Sequence, residues 1–342
     1  MTMTVGKWRR RALTVALATA TSLGVMSTAA AMDTITAVHA FPKSLIYTKS
    51  FLKFVDKANA AGEGVFKIQV RGGPEAVGMF EQPKALTNGV VDMVYTPCAF
   101  YSATVPECDA VSASTIDGPT ARESGALKAL QAAHDKRMGA HYLGWIDSGI
   151  RFNLWSTQEF KTGPAGDLIL EGRKMRGNAI YNAFFTNVLK VQVINLKATD
   201  VYTALERGTI DTMGWTQIGV MDLSWDKYIK HRLKPAFFST DLGVIVNGKK
   251  WASLSQKTRD ILTQTIAAYE KESMAELGAL RTKEHKMLDE KGVKVTTLPT
   301  LAGARFVEGA ANASHQRMKD RIQKMDGNTA SAENVMKLFS PR

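Results

Sequence analysis

Cysteine and histidine are scarce in this sequence, and the motifs that usually mark an enzyme are missing. Its 342 residues include 2 cysteines and 6 histidines. The closest two histidines, His134 and His141, have no third ligand at the spacing of a metal site, and no HExxH pair occurs. GxSxG, GxxxxGKS/T and GxGxxG motifs are absent as well. We therefore expect a protein that is not an enzyme, with no catalytic residue, no metal site and no cofactor.

The two cysteines, Cys98 and Cys108, leave their own chemistry open. A pair this close in sequence forms a disulfide in an oxidising compartment, provided that the Cα atoms come near enough. The alternative is two separate free thiols. Spacing alone does not choose between them.

Positive charge is in excess but is not concentrated. The formal net charge is +12, and the basic residues are dispersed along the chain, without an aromatic-interleaved basic stripe. This pattern argues against nucleic acid as a partner. A basic surface favours anionic ligands.

The first 31 residues have the three parts of a secretory signal peptide. Lys7, Arg9, Arg10 and Arg11 form a charged start, an apolar run follows from Ala12 to about Val25, and Ala29-Ala30-Ala31 offers a cleavage site. The apolar run is too short and too rich in Ala and Thr for a comfortable membrane span. We predict an exported, periplasmic protein whose signal peptide is cleaved near Ala31.

From residue 33 onward the sequence alternates between strand and helix patterns. Asp33–Val38, Val65–Val70 and Val90–Tyr95 read as strands, with helical patterns between them. This order predicts an α/β fold whose sheets bind ligands at the carboxyl ends of their strands. The candidate pocket residues at such ends are His39, Phe41, Phe80, Tyr95, Pro97 and Tyr101. For each of them, packing in the core or in a turn is the alternative.

The second half contains the segment that best suits an anion. In Glu171–Asn178, basic side chains follow an apolar run, and Arg176 presents a planar fork that meets a carboxylate with two parallel hydrogen bonds. Trp215 follows a strand at a point where its ring walls such a cleft, and Tyr95, Tyr101 and Phe152 supply further flat walls. Taken alone, Arg176 more often reads as a solvated surface residue.

Two further features concern the overall organisation. Ala85–Asp92 and Ala204–Asp211 share a pattern of helix end, glycine and strand, which favours two lobes of similar construction. A helical pattern from Ser255 to Lys291 is long enough to brace both lobes.

The chain also carries a series of motifs that resembles a known family. The series comprises the Phe51–Gly62 helix, Gln69–Gly78, Asn88–Met93, Leu170–Arg176 in the form L-x-G-x-K-x-R, Tyr202–Asp211, and Val246-Asn247 with Trp251. In this order, after a signal peptide, they resemble the DctP-type periplasmic solute-binding subunit of tripartite ATP-independent periplasmic (TRAP) transporters. The resemblance covers essentially residues 33–325.

The resemblance implies a two-lobed α/β binding protein that closes on an organic anion and delivers it to the membrane permease subunits of the transporter. Each lobe is a mixed or parallel sheet flanked by helices. We expect residues 32–150 with about 240–279 in the first lobe, and 151–239 with about 280–342 in the second. The carboxylate-clamping arginine of the family falls on Arg176, and a second arginine near the pocket falls on Arg151. We add Asn178, which closes the Arg176 segment, to the ligand-binding candidates.

The chain departs from the family after Asp211, where it reads Thr212-Met213-Gly214-Trp215. A tryptophan in place of a polar contact argues against a sialic-acid-like or simple dicarboxylate ligand. We therefore predict a monocarboxylate with an apolar or aromatic body, such as a 2-oxo or 2-hydroxy acid. The alternatives are an exported enzyme acting on a small carboxylate, and a ligand-sensing partner of a membrane receptor.

Overall fold

A computed structural model describes residues 1–3 and 32–341. Residues 32–342 form one compact unit. The predicted signal peptide falls almost wholly outside the described residues. Within the described part of the chain, no helix has both the length and the apolar composition that crossing a membrane requires.

The described residues form thirteen strands and ten α-helices. The strands are β1 (Asp33–His39), β2 (Phe66–Gly72), β3 (Met93–Pro97), β4 (Ala140–Trp145), β5 (Phe152–Ser156), β6 (Lys161–Thr162), β7 (Leu168–Ile169), β8 (Met175–Gly177), β9 (Val193–Asn195), β10 (Thr212–Thr216), β11 (His231–Lys234), β12 (Leu242–Asn247) and β13 (Lys294–Thr297). The α-helices are α1 (Ile46–Ala61), α2 (Gln82–Thr87), α3 (Cys108–Ser112), α4 (Gly118–Glu123), α5 (Ala126–Met138), α6 (Val201–Glu206), α7 (Gly248–Ser253), α8 (Gln256–Glu290), α9 (Thr300–Asp326) and α10 (Ala330–Phe339).

The first sheet has five strands in the order β2-β1-β3-β12-β4. β1 runs parallel to both β2 and β3, as expected from the short strand-helix-strand units at the start of the chain. β12 returns from far along the sequence and inserts antiparallel between β3 and β4. This sheet is therefore mixed, and it gathers strands from both halves of the chain.

The second sheet has six strands in the order β13-β11-β5-β10-β8-β9. β10 lies antiparallel to β5 and parallel to β8, and β8 lies parallel to β9. β6 and β7 form a separate two-stranded ribbon. The predicted α/β fold with two mixed sheets is confirmed.

The long helix that the sequence predicts is α8, which has 35 residues. Ser255 caps its start, because the Ser255 hydroxyl accepts a hydrogen bond from the Thr258 amide at 3.1 Å. At about 1.5 Å per residue the helix spans about 50 Å. It packs against α1 and α4 near the first sheet, while Glu284 and His285 in its second half contact the loop that follows β10.

The chain between β3 and β4 forms several helices, and α4 and α5 are separate. Gly125 has a φ of 83°, a left-handed conformation that separates α4 from α5. After β8 the chain is helical over residues 182–188, and Phe184–Val188 of this stretch is a π-helical turn.

The last two helices connect the cores of the two sheets. The first half of α9 packs with the Phe184 and Phe237 cluster beside the second sheet. Its second half and α10 pack, through Met318, Ile322 and Phe339, with the core of the first sheet. Helix α10 therefore lies with the first sheet.

Candidate functional site

One small cavity is lined by residues from both sheets. Its free volume is about 30 Å³, room for one or two water molecules, so a larger molecule fits only when the walls move apart. It is lined by Phe41, Tyr47, Met79, Phe80, Pro97, Phe100, Phe152, Arg176, Asn178, Ile180, Ala198, Trp215, Thr216, Thr240, Asp241 and Leu242. Most of these residues are apolar, and Arg176 is the basic residue among them.

Arg176 lies in β8, one strand in from the edge of the second sheet, where it pairs with Met213 of β10 and Ile194 of β9. The next residue is a glycine because a side chain does not fit: a Cβ on Gly177 would lie 2.5 Å from Asn182 Oδ1. Asn178 Oδ1 then accepts the amide of Ile180 at 2.9 Å, which turns the chain after the strand.

The Arg176 side chain is buried, with 2% of its surface exposed. Its Nε and Nη2 donate to the carbonyl oxygen of Leu196 at 3.2 and 3.0 Å, and Nη1 donates to the hydroxyl of Tyr181. Tyr181 in turn donates to Gly214 O at 2.8 Å. A guanidinium has five N–H donors, so one hydrogen on each Nη remains without a partner among these bonds.

No acidic side chain of the described residues forms an ion pair with Arg176. Arg137, by contrast, is buried against the carboxylates of Glu107 at 2.7 Å and Asp326 at 2.9 Å. A buried cation is costly unless an anion or well-placed hydrogen bonds compensate it. Arg176 therefore lacks the partner that an anionic ligand supplies.

Trp215 forms the wall beside this guanidinium. Arg176 Cζ lies 5.8 Å from the centroid of the Trp215 ring, within cation–π range. The ring meets Phe41 edge-on at 6.1 Å and Trp225 at 4.7 Å. Its position is fixed further by Trp155 Nε1, which donates to Trp215 O at 3.1 Å.

The structure brings together a large part of the set of residues predicted from the sequence. The candidate pocket residues that line the cavity are Phe41, Phe80, Pro97, Phe152, Arg176, Asn178 and Trp215. They come from both sheets, as expected for a site at strand ends.

His39 and Arg151 are placed elsewhere. His39 is fully buried, and its Nδ1 donates a hydrogen bond to Phe41 O at 2.7 Å. Burial lowers the pKa of His39 below its ordinary value. Arg151 donates to Phe237 O at 2.8 Å and to Ser114 O at 3.2 Å, so it ties together backbone segments outside the cavity lining.

Tyr95 and Tyr101 also lie outside the cavity lining. Tyr95 stacks on Phe51 at 4.9 Å and donates its hydroxyl to Asp147. Tyr101 shares a hydrogen bond with His134 Nε2 at 3.0 Å. Burial raises the pKa of both tyrosines well above the ordinary value, so both stay neutral core residues.

Sequence reasoning missed several lining residues, among them Tyr47 and Phe100. Tyr47 lies in the first turn of α1, directly after the loop that carries Phe41. The sequence could have indicated Tyr47, because it is an aromatic residue at the start of the helix that follows the end of β1. Phe100 lies in the short 3₁₀ helix Cys98–Tyr101 after β3.

Cys98 and Cys108 form a disulfide, so the first of the two predicted alternatives is correct. Their Cα atoms are 5.2 Å apart. The bond anchors the 3₁₀ helix that carries Phe100 to the start of α3. His134 lies beside these sulfurs, but sulfurs joined in a disulfide are not the thiolates that hold a metal.

Comparison with known proteins adds a family to this geometry. Residues 37–320 match the family model DctP, described as bacterial extracellular solute-binding protein, family 7. The chain belongs to this family. The predicted resemblance is thereby confirmed, and DctP-family proteins of known structure share the fold.

Three solved structures illustrate the match. A TRAP periplasmic solute-binding protein from Desulfovibrio salexigens, with bound orotic acid, has a TM-score of 0.76 and 16% identity over 90% of this chain and 97% of that one. DctP7 from Bordetella pertussis, a receptor binding pyroglutamic acid, has a TM-score of 0.73 and 17% identity over 90% and 99%. A TRAP solute-binding protein from Bordetella bronchiseptica, with calcium and picolinate in its site, has a TM-score of 0.73 and 19% identity over 90% and 92%.

Proposed function

We propose that this DctP-family protein captures a small organic acid anion between its two lobes, with Arg176 as the carboxylate clamp. The observation that carries the proposal is the buried guanidinium of Arg176, which has two free N–H donors and no acidic partner among the described residues. A carboxylate accepts two parallel hydrogen bonds from such a fork. Closing the site around the ion pair removes water and strengthens it.

The walls favour an apolar or flat body on the same ligand. Phe41, Phe80, Phe100, Phe152 and Trp215 surround the cavity and offer aromatic surface. Orotic acid, pyroglutamic acid and picolinate, the ligands named for the three similar structures, are each a small ring with one carboxyl group. We therefore infer a monocarboxylate with an apolar or aromatic body, 2-oxo and 2-hydroxy acids included.

The two sheets form the cores of the two proposed lobes. We place residues 32–150 and about 240–279 in the first lobe, and residues 151–239 and most of 280–329 in the second. α10 belongs with the first lobe, because Phe339 is buried in its core. The ligand stabilises the closed form through contacts that only this form makes.

In this proposal the exported protein works in the periplasm and passes its ligand to the membrane permease subunits of a TRAP transporter. It releases the acid unchanged, because none of its residues is assigned a catalytic role. An incubation of the purified protein with the bound acid, followed by mass spectrometry, separates this proposal from an exported enzyme. Recovery of a converted acid contradicts it.

A thermal-shift screen against a panel of small organic acids tests the proposal. A ligand at about 100 times its dissociation constant adds about 2.7 kcal/mol to the free energy of unfolding. We expect one acid class to raise the melting temperature of the wild type and not that of Arg176→Ala. The control is Arg207→Ala. Arg207 is an exposed residue at the C-terminal end of α6, outside the cavity lining. The proposal fails if no acid stabilises the wild type, or if Arg176→Ala responds equally.

A further inference from the structure

Two buried polar atoms on the cavity-lining residues have no hydrogen-bond partner among the described residues. They are the hydroxyl oxygen of Tyr47 and the indole Nε1 of Trp215. Tyr47 is 1% exposed and Trp215 is 4% exposed. Buried polar groups are nearly always paired, and one left unpaired destabilises the folded protein. The missing partner is thus an observation that points to a ligand.

The two atoms come from opposite sides of the site, but both lie near the start of α1. Tyr47 is in the first turn of α1, above the first sheet, and Trp215 is in β10 of the second sheet. A Cβ placed on Gly219 would lie 3.6 Å from Trp215 Nε1 and 2.9 Å from a methyl carbon of Leu45, the residue before α1. The indole N–H therefore lies near the start of α1, where Tyr47 is located.

Other polar side chains of the lining already have partners. Thr216 donates to Ile218 O at 2.7 Å, and Thr240 donates to Asp147 O at 2.8 Å. Asp241 Oδ2 accepts the amide of Ala99 at 2.6 Å. Tyr47 and Trp215 therefore differ from these neighbours in having their hydrogen-bonding capacity unused.

We propose that Tyr47 and Trp215 together bind a second, neutral oxygen of the ligand, so that the protein selects monocarboxylates that also carry a carbonyl or hydroxyl oxygen. This inference rests on the proposed role of Arg176, which holds the carboxylate. An indole N–H only donates, and a phenol donates readily, so their common partner is an acceptor oxygen. Acids with a 2-oxo group and lactam acids have this chemistry.

The charges around Tyr47 explain why the second oxygen is neutral. Burial raises the pKa of Tyr47 well above its ordinary value, and the carboxyl groups of Asp147, Glu284 and Asp222 raise it further. The neighbouring Thr216 side chain lowers this pKa, but without the geometry of a hydrogen bond to the Tyr47 hydroxyl. Tyr47 therefore stays protonated as a donor. Asp147 and Asp222 repel a second negative charge at this end of the site. A dicarboxylate is disfavoured on that ground.

The test compares matched acids that differ only in the second oxygen, by titration calorimetry. The pairs are phenylpyruvate with 3-phenylpropanoate, 4-methyl-2-oxopentanoate with 4-methylpentanoate, and 3-oxocyclopentanecarboxylate with cyclopentanecarboxylate. For the pair that fits the cavity, we expect the oxygen-bearing acid to bind the wild type about 10- to 100-fold more tightly. Tyr47→Phe removes one hydroxyl and nothing else, and it should lose most of this preference, with Trp215→Phe losing it in part.

A second readout separates a ligand contact from a structural role. Because the Tyr47 hydroxyl has no partner in the ligand-free protein, Tyr47→Phe should keep or raise the melting temperature without ligand. Tyr269→Phe is the matched control: Tyr269 is equally buried, but its hydroxyl donates to Ser50 O at 2.8 Å, away from the cavity lining. It should lower the melting temperature and keep the ligand preference.

Three results overturn the inference. The first is that the wild type binds both members of each pair equally. The second is that Tyr47→Phe keeps the full preference. The third is that Tyr47→Phe, like Tyr269→Phe, unfolds at a lower temperature than the wild type. In the first two cases carboxylates still bind through Arg176, so the proposed function stands and the two atoms hold only a buried water. If no acid of the panel binds the wild type at all, the proposed function fails together with the inference.

Discussion

Arg176 holds the carbonyl oxygen of Leu196 with two of its nitrogens, Nε at 3.2 Å and Nη2 at 3.0 Å. The contact fixes the plane of the guanidinium before any ligand arrives, because Leu196 follows β9, the strand that pairs with β8. A donor fork that is already oriented loses little side-chain entropy on binding. The carbonyl oxygen of Leu196 is therefore part of the proposed clamp.

Breaking the buried ion pair between Arg122 and Glu270 should destabilise the protein strongly. Glu270 is fully buried, and it accepts from Arg122 Nε at 2.6 Å and from the amide of Trp145 at 2.9 Å. Glu270→Ala leaves a cation and an amide without their partner. We expect a loss of about 3–5 kcal/mol in the free energy of unfolding, measured by urea denaturation.

The control for this prediction is Lys271→Ala on the same helix. Lys271 pairs with Glu123 at 3.2 Å, and the two side chains are 65% and 69% exposed. An exposed pair contributes at most about 1 kcal/mol. Equal losses in Glu270→Ala and Lys271→Ala would refute the argument from burial.

Glu284 should make stability depend on pH. Burial raises its pKa from the ordinary 4.5 to about 7, although its side chain accepts the amides of Gly219 and Met221. Between these two values the folded protein keeps a proton that the unfolded chain releases, so the contribution of Glu284 to stability is lost as the pH rises toward 7 and above. At about 1.4 kcal/mol per pH unit, the loss is on the order of 3 kcal/mol.

Urea denaturation of the wild type and of Glu284→Gln between pH 4 and pH 8 measures this effect. We expect the stability of the wild type relative to the variant to fall over this range. Glu290→Gln, an exposed position near the end of the same helix, should leave the pH dependence unchanged. A constant difference between the wild type and Glu284→Gln would show that Glu284 does not titrate in this range.

The disulfide between Cys98 and Cys108 should support both stability and the site. Closing a loop with a sequence separation of 10 contributes about 2–3 kcal/mol in the chain-entropy model. Reducing the disulfide also detaches the short 3₁₀ helix that carries Phe100 from the start of α3. Ligand affinity should therefore fall together with stability. Thiol titration of the denatured, unreduced protein should detect no free thiol, and two free thiols would contradict the prediction.

The sequence predicted the parts of this site that depend on local pattern. Arg176 follows from its motif, and Phe41 follows from its place after a strand. Trp215 was predicted just past a strand, but it lies within β10. Tyr95 was misplaced because every residue of β3 is buried, so alternation does not tell which face of the strand meets the cavity. The packing of α10 against the first sheet depends on long-range contacts that no local pattern contains.

For Tyr47, local pattern predicts that the side chain is buried but not what its hydroxyl contacts. Its spacing from Phe51 and Phe54 fits the buried face of α1, and it does belong to that core. That its hydroxyl is left without a hydrogen-bond partner depends on residues more than 150 positions away, among them Thr216 and Glu284, and is visible only once the fold is known.

Isothermal titration of the best-binding acid into the wild type, Arg176→Lys and Arg207→Lys tests the central claim most directly. Lysine keeps the positive charge but lacks the planar fork, so two parallel hydrogen bonds become at most one. We predict that Arg176→Lys raises the dissociation constant by about 100-fold, and that Arg207→Lys leaves it unchanged. An Arg176→Lys protein that binds the acid as tightly as the wild type would contradict the clamp.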